Sequence, residues 1–308
     1  MKPSPTQTLL LLLPFLWAQG GSAYEVVDSQ GKHWFDAVPQ RVVATDWTVL
    51  ENLIELGVTP VGAPELDLFR ALNPAITVHE DVADIGLRLA PTLGAIEALA
   101  PDLIIVGSSQ KSLTMPLSRI ARTLYYKSFS DRYRTNGDKS LVRFRQMAVI
   151  FQQEKRAEEL LSTMAMELED TRLQLEAATK NPAPDIVLVR LLSSDKCLVY
   201  GHNSLPHFAL QKVGLATPVG PGETAWGEIE MPISELARFS ESLLLYFTPL
   251  PFDAPPPAWQ ALPQVDQGRS VALPPIWTRG SALSVGRIAT AVGDAIGKRV
   301  GLTAPGHP

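Results

Sequence analysis

Residues 154–179 read EKRAEELLSTMAMELEDTRLQLEAAT, and this stretch decides how the rest of the chain is organised. Between Lys139 and Lys180 there is no proline and no glycine, and strong helix formers dominate. Leu160, Leu161, Met164, Leu168 and Leu175 form one apolar stripe, while Glu158, Ser162, Glu169 and Arg172 fall on wetter faces. A helix over Glu154–Thr179 would run about 39 Å at 1.5 Å per residue. That length suits a strut between two lobes. The alternative is a heptad coiled coil, but the stripe ends short of about four heptads. Gln152-Gln153 marks a break from a preceding helix.

Strands and helices alternate on both sides of the strut. Upstream, Arg41–Thr45 is a short β-branched run, and Asp46 and Thr48 offer capping oxygens to an apolar helix ending at Leu56-Gly57. Val58–Gly62 reads as the next strand, Thr92–Leu99 as a helix, Leu103–Val106 as a buried strand and Leu113–Ala121 as another helix. Downstream of Asn181-Pro-Ala-Pro184 the alternation restarts. Strands are expected at Ile186–Leu191, Leu198–Tyr200, Leu243–Phe247 and Arg269–Leu273. Helices are expected at Leu205–Val213, Ile233–Phe239 and Ala282–Val300, and Pro249–Pro257 is an extended connection. Such alternation is the mark of parallel sheets covered on both faces. The fold class is therefore α/β, two lobes joined by one long helix. The expected boundaries are a leader over 1–23, a lobe over 24–152, the helix over 153–181 and a second lobe over 182–308.

The leader is legible by itself. Lys2 precedes an apolar run from Leu9 to Trp17, and Gly21-Ser22-Ala23 supplies the small residues of a cleavage site. The run is far shorter than the roughly 20 residues needed to span a bilayer. No cysteine follows it to carry a lipid. A soluble exported chain cleaved near Ala23, without membrane insertion, is the expectation.

Composition narrows the function. Of 308 residues 45% are hydrophobic and 19% charged, so a buried core is affordable and disorder is excluded. A net charge of −5 without a basic run makes nucleic acid an unsuitable partner. The single cysteine, Cys197, permits neither an internal disulfide nor a cysteine-only metal site, and its apolar setting reads as structural. The five histidines show no ligand spacing; His202 and His207, five apart, come nearest and make a weak metal site. There is no phosphate-binding glycine loop, dinucleotide fingerprint or nucleophile elbow. No catalytic residue, metal ligand or cofactor is therefore assigned.

What remains is a set of tryptophans and arginines in loops. Trp47 stands at a strand end, Arg88 in Asp84-Ile-Gly-Leu-Arg88, Trp226 before Gly227, and Trp277 and Arg279 in Ile276-Trp-Thr-Arg-Gly280. Each residue alone fits ordinary core filling. Together, and from both lobes, they suit a bulky ligand with apolar and anionic parts, held by stacking and forked donation.

These residues carry a resemblance. Arg41–Trp47, Glu51–Gly62, Asp84–Pro91, Leu99–Ile105, Val199–Leu205, Trp226-Gly227, Trp259–Val265 with Gly268-Arg269, and Trp277 follow one another in the order of a known family. The chain resembles periplasmic substrate-binding proteins of iron–siderophore ABC importers, most closely the ferric hydroxamate-binding (FhuD-like) type. The resemblance spans the mature chain. It implies two α/β lobes on a rigid helical backbone, with a ferric siderophore between them. It also implies delivery to an inner-membrane ABC permease with its cytoplasmic ATPase, and the mature chain is expected to be a monomer. It points to Arg88 as donor to hydroxamate oxygens, and to Trp226, Trp277 and Trp47 as cleft-lining aromatics.

Departures from the family pattern are equally informative. Gln110 stands where hydroxamate binders carry a tyrosine, and Arg279 replaces an aromatic. Arg279 either favours an anionic ligand such as a citrate–hydroxamate or pairs with a local carboxylate, Glu228 or Glu230. The permease-docking carboxylate of the first lobe is replaced by Gly94, with Glu97 one turn on, and that of the second falls near Ser234/Glu235. Three rival readings are a haem or cobalamin binder of the same fold, a free-metal binder and an exported enzyme.

Overall fold

The structure is a computed structural model that describes residues 23–132, 135–178, 184–249 and 253–300. Of the expected leader over 1–23, residues 1–22 lie outside the described part, as do residues 179–183 at the end of the expected long helix. The chain enters through a hairpin that was not foreseen, β1 (Tyr24–Val27) and β2 (Lys32–Phe35). The first lobe follows as β3 (Val42–Ala44), α1 (Trp47–Glu55), β4 (Gly62–Ala63), α2 (Leu66–Leu72), β5 (Ala83–Asp84), the hairpin β6 (Gly86–Leu87) and β7 (Ala90–Pro91), α3 (Leu93–Ala98), β8 (Leu103–Val106), α4 (Thr114–Leu117) and β9 (Arg122–Tyr125). Its sheet has the order β5-β4-β3-β8-β9 and every pairing in it is parallel.

Continuous apolar runs explain the centre of that sheet. All residues of β3 and β8 are buried, as strands covered on both faces must be. Strand order reverses between β3 and β8, so the crevice of the lobe opens outside their carboxyl ends. Asp46 caps α1, its carboxylate accepting from the Thr48 N–H at 2.9 Å. Gly57 ends the helix in the left-handed region at φ +81°.

Two expectations are corrected here. The strand read over Val58–Gly62 pairs only at Gly62–Ala63, because Pro60 has no N–H to give. The helix read over Leu113–Ala121 is a 3-10 helix at Ser108–Leu113 followed by α4. Ser108 Oγ there accepts from the N–H groups of Ser128 and Phe129, which fixes the chain in a tighter turn.

Next come α5 (Asn136–Ile150) and α6 (Glu154–Ala178). The break between them is at Gln152, with φ +54°. The 25-residue α6 buries Ala157, Leu161, Met164, Leu168 and Leu175, close to the stripe read from sequence. The second lobe comprises β10 (Ile186–Leu191), β11 (Lys196–Tyr200), α7 (Leu205–Lys212), β12 (Glu228–Pro232), β13 (Leu243–Phe247), α8 (Pro257–Gln260), α9 (Pro263–Asp266), β14 (Ser270–Leu273) and α10 (Ser284–Val300). Ile233–Phe239 is a 3-10 helix.

The second sheet, ordered β12-β11-β10-β13-β14, is mixed rather than parallel. The four residues between β10 and β11 leave no room for a crossover helix, so the pair closes as an antiparallel hairpin. Alternate residues serve two cores. Val187, Val189, Cys197 and Val199 pack with Trp259 on one face, whereas Ile186, Leu188 and Phe247 join a core that continues into the first lobe.

That shared core ties the lobes together through the helices. Gly286 and Gly293 of α10 stand against Met164 and Thr171 of α6; both pairs are one heptad apart, so the two helices run parallel in close contact. Asn136 at the start of α5 donates to the carbonyls of Asn203 and Ala225 at 2.8 and 2.9 Å. A Cβ on Gly137 would collide with the Phe208 ring. Gly137→Ala is therefore expected to destabilise the chain by about 1–3 kcal/mol in urea unfolding. A helical Gly→Ala change without that clash would stabilise.

Candidate functional site

The carboxyl ends of the first-lobe strands converge on one place. Trp47 follows β3, Glu65 follows β4, Arg88 lies on the β6–β7 turn beyond β5, and Gln110 lies beyond β8. The Trp47 ring is fully buried; its indole N–H donates to the Pro64 carbonyl at 2.9 Å and its edge packs on Phe69. The Arg88 guanidinium lies 3.5 Å from the Trp47 ring centroid and 5.0 Å from that of Trp277. Such stacking suits guanidinium, a weakly hydrated planar cation. Arg88 Nε donates to Glu65 Oε2, and its terminal nitrogens have no protein acceptor among the described residues.

Gln110 fixes this loop from below. Its amide nitrogen donates to the carbonyls of Thr45 and Arg88 at 2.6 and 2.5 Å. Its oxygen accepts from the Thr45 hydroxyl and the Gly107 N–H at 2.6 and 3.2 Å. Expected as a cleft residue, it is 2% exposed with its amide fully taken up. Trp47 likewise lies beneath the surface. Both position Arg88 rather than face solvent.

The second lobe supplies a matching half. The segment after β14 runs back over its own sheet, with Arg190 donating to the Ile276 carbonyl at 2.8 Å and the Tyr200 and Thr278 hydroxyls 2.8 Å apart. Arg279 meets Glu228 as a fork, Nε to Oε1 at 2.9 Å and Nη2 to Oε2 at 2.5 Å. Its guanidinium stands 4.1 Å from the Trp226 ring centroid and 5.7 Å from that of Trp277. Burial depresses the Arg279 pKa, but hydrogen bonding and charge from Glu228 outweigh it and hold the pKa above the ordinary value. Of the two alternatives left open by sequence, Arg279 takes the local carboxylate Glu228; Glu230 pairs with Lys196 instead.

Trp277 joins the halves. Its ring meets Trp47 edge-on at 4.8 Å, and its backbone N–H donates to Asn73 Oδ1 at 3.0 Å. The Thr48 hydroxyl donates to the Arg279 carbonyl at 2.6 Å. One stack of alternating rings and guanidiniums thus crosses between the lobes in the order Trp47, Arg88, Trp277, Arg279, Trp226. Sequence reading gathered all five. It missed Glu65, whose only signal was a carboxylate after Pro64 at a strand end, and Arg190, a lone charge inside an apolar strand.

The remaining expected positions lie apart. Glu97 is exposed on α3. Glu235 is exposed beyond the end of β12 remote from Glu228, paired with Arg238 at 3.8 Å. Cys197 is buried, and burial pushes its thiol up to about 12, as befits a structural cysteine. Among the described residues no three metal-ligating side chains cluster, and no helix is long and apolar enough to cross a membrane.

Comparison with known proteins gives the same reading from another direction. Residues 42–227 match the family described as Periplasmic binding protein. The iron(3+)-hydroxamate-binding protein FhuD of Escherichia coli is 28% identical over 299 residues, 94% of this chain and 95% of that one. The crystal structure of FhuD from Vibrio cholerae with Fe3+–Desferal bound is 31% identical. It superposes with a TM-score of 0.80, covering 83% of this chain and 97% of that one. The Fe(3+) dicitrate-binding periplasmic protein FecB of Escherichia coli is 32% identical over 116 residues, 37% of this chain and 39% of that one. Two α/β lobes on a helical strut, an interlobe aromatic–guanidinium stack and a matched family segment covering more than half the sequence lead to one conclusion: the chain belongs to the periplasmic binding protein family.

Proposed function

We propose that this chain is the solute-binding component of an ABC importer. It captures a ferric siderophore, hydroxamate or mixed citrate–hydroxamate, between its lobes and delivers it to the inner-membrane permease and its cytoplasmic ATPase. The observation that carries this reading is the five-residue stack crossing the lobe junction, with the terminal nitrogens of Arg88 available for donation. The chain is a binding protein and not an enzyme: the ferric ion is held by the ligand's own oxygens, and the protein grips the outside of the complex. Arg88 donates to hydroxamate oxygens, while Trp226 and Trp277 cover the apolar rim.

Export supports the same role. Strand β1 begins at Tyr24, directly after the expected cleavage near Ala23, which suits a mature chain starting there. The mature chain is proposed to work in the periplasm as a monomer. Glu97 is the proposed permease contact of the first lobe; Glu235 would serve from a more distant face. The shared core and the hydrogen bonds across the junction favour small lobe movements on binding.

The test is tryptophan fluorescence of the mature protein titrated with a ferric tris-hydroxamate, with haem and cobalamin in parallel. Trp47, Trp226 and Trp277 sit in the stack, so a coloured iron complex bound there quenches strongly and saturably. Quenching by haem or cobalamin alone would instead favour a different chelate on the same fold.

A further inference from the structure

The charges of the cleft carry a statement about which ferric complex it takes, one that rests on the binding role proposed above. Seen in the sequence, two cleft arginines suit an anion. In the structure neither is an open cation. We infer that Glu228 and Glu65 are specificity-determining residues that neutralise Arg279 and Arg88, so that of the two ligand classes proposed above the site takes the neutral or cationic ferric hydroxamates and rejects anionic chelates, mixed citrate–hydroxamates among them.

The balance can be followed group by group. Three guanidiniums border the stack: Arg88, Arg279, and Arg190, which donates to the carbonyl of Ile276 beside Trp277. Arg88 and Arg279 each have a carboxylate partner, and Arg190 is met by the Ile276 carbonyl and the Tyr200 hydroxyl. Glu228 grips Arg279 with both oxygens, and Glu65 accepts from both Nε and the backbone N–H of Arg88. With 2% of its side chain exposed, Glu228 cannot swing into solvent to make way for a ligand carboxylate. It also holds the forked geometry that such a ligand would need.

Glu65 is equally committed. Its backbone is left-handed, φ +49° and ψ +48°, a conformation a non-glycine residue keeps only under constraint. Held there, the carboxylate reaches Arg88 twice. What Arg88 and Arg279 offer a ligand is N–H groups whose charge is already balanced by Glu65 and Glu228. A ferric tris-hydroxamate presents oxygens of partial negative charge with no net charge of its own, and complements that surface. A chelate with free carboxylates would place like charges against Glu65 and Glu228 in a half-buried site, where they are poorly screened.

The test uses the full mature chain and three probes in the same fluorescence titration. Ferrichrome is neutral, ferric desferrioxamine B bears a pendant ammonium, and ferric dicitrate is anionic. Wild type is expected to bind the first two and to bind ferric dicitrate about 100-fold more weakly or less. Glu228→Gln and Glu65→Gln should each move the dicitrate-to-ferrichrome affinity ratio toward dicitrate by about tenfold or more, the consequence of one unbalanced charge. Because Glu65 is partly exposed, its variant decides the matter if Glu228→Gln does not fold. A wild-type preference for ferric dicitrate, or folded variants with an unchanged ratio, would overturn the inference while leaving siderophore binding intact. Failure of wild type to bind any of the three would overturn the binding role itself, and this inference with it.

Discussion

Arg287→Leu is expected to destabilise the chain by about 3–5 kcal/mol, the cost of removing one partner from a buried ionic cluster. Arg287 on α10 donates to Glu55 Oε1 at 2.7 Å and Glu51 Oε2 at 3.2 Å, both on α1 of the other lobe. Glu51 also accepts from the Ser281 N–H at 2.6 Å and the Ser284 hydroxyl at 2.8 Å, and Glu55 accepts from the Ser281 hydroxyl at 3.0 Å. Leucine would leave both carboxylates buried without their cation. Because Trp47 opens α1 and Ser281 follows Arg279 by two residues, this cluster also sets the register of the binding stack. Chemical denaturation compared with wild type measures the loss.

The same cluster makes stability pH-dependent. Burial, joined by the neighbouring charge of Glu51 and opposed by Arg287, pushes the Glu55 carboxyl up to about 7 from its ordinary value of 4.5. The folded state therefore holds a proton that the unfolded chain has released. That contribution is complete below about pH 4.5 and is lost as pH rises through about 7. Wild type is expected to melt at a lower temperature at pH 8 than at pH 6. Glu55→Gln, which cannot ionise, should flatten that difference; an equal fall in both proteins would count against Glu55 as its source.

Arg88→Ala is expected to weaken siderophore binding by about 1.5–3 kcal/mol, the worth of hydrogen bonds to a charged group, or roughly 10–150-fold. The side chain is half-buried at the surface of the first lobe, so the fold should survive, as circular dichroism would show. Arg88→Lys should recover little. Lysine keeps the charge but loses the planar fork that lies on Trp47 while donating sideways to Glu65. Full affinity in Arg88→Ala would remove Arg88 from the site.

The parts legible in sequence were those fixed by local chemistry. The strut declared itself because 42 residues from Lys139 to Lys180 lack any helix breaker. The strands β3 and β8 were visible as apolar runs, and α1 through its Asp46 cap. What escaped depended on distant partners. β12 has a polar sequence, EIEMP, and is a strand because β11 pairs with it along its whole length. The direction of β11 was hidden in a connection too short for a helix.

The binding site shows the same division. Tryptophan and arginine in loops could be picked out by type, and all five met in one stack. Their depth could not be read: Trp47 and Gln110 lie under the cleft because Phe69, Pro64 and Thr45 close over them. Nor could the state of Arg279, which turns on Glu228 lying 51 residues away in sequence and facing it across the lobe.

The most direct measurement is a crystal structure of the mature chain with a ferric tris-hydroxamate, the iron located by its anomalous scattering. The account predicts one iron peak between the lobes, with hydroxamate oxygens in hydrogen-bond reach of Arg88 and the Trp226 and Trp277 rings against the ligand. Iron located elsewhere, for instance in the first-lobe hollow lined by Arg41, Thr59, His79 and Asp81, would contradict it.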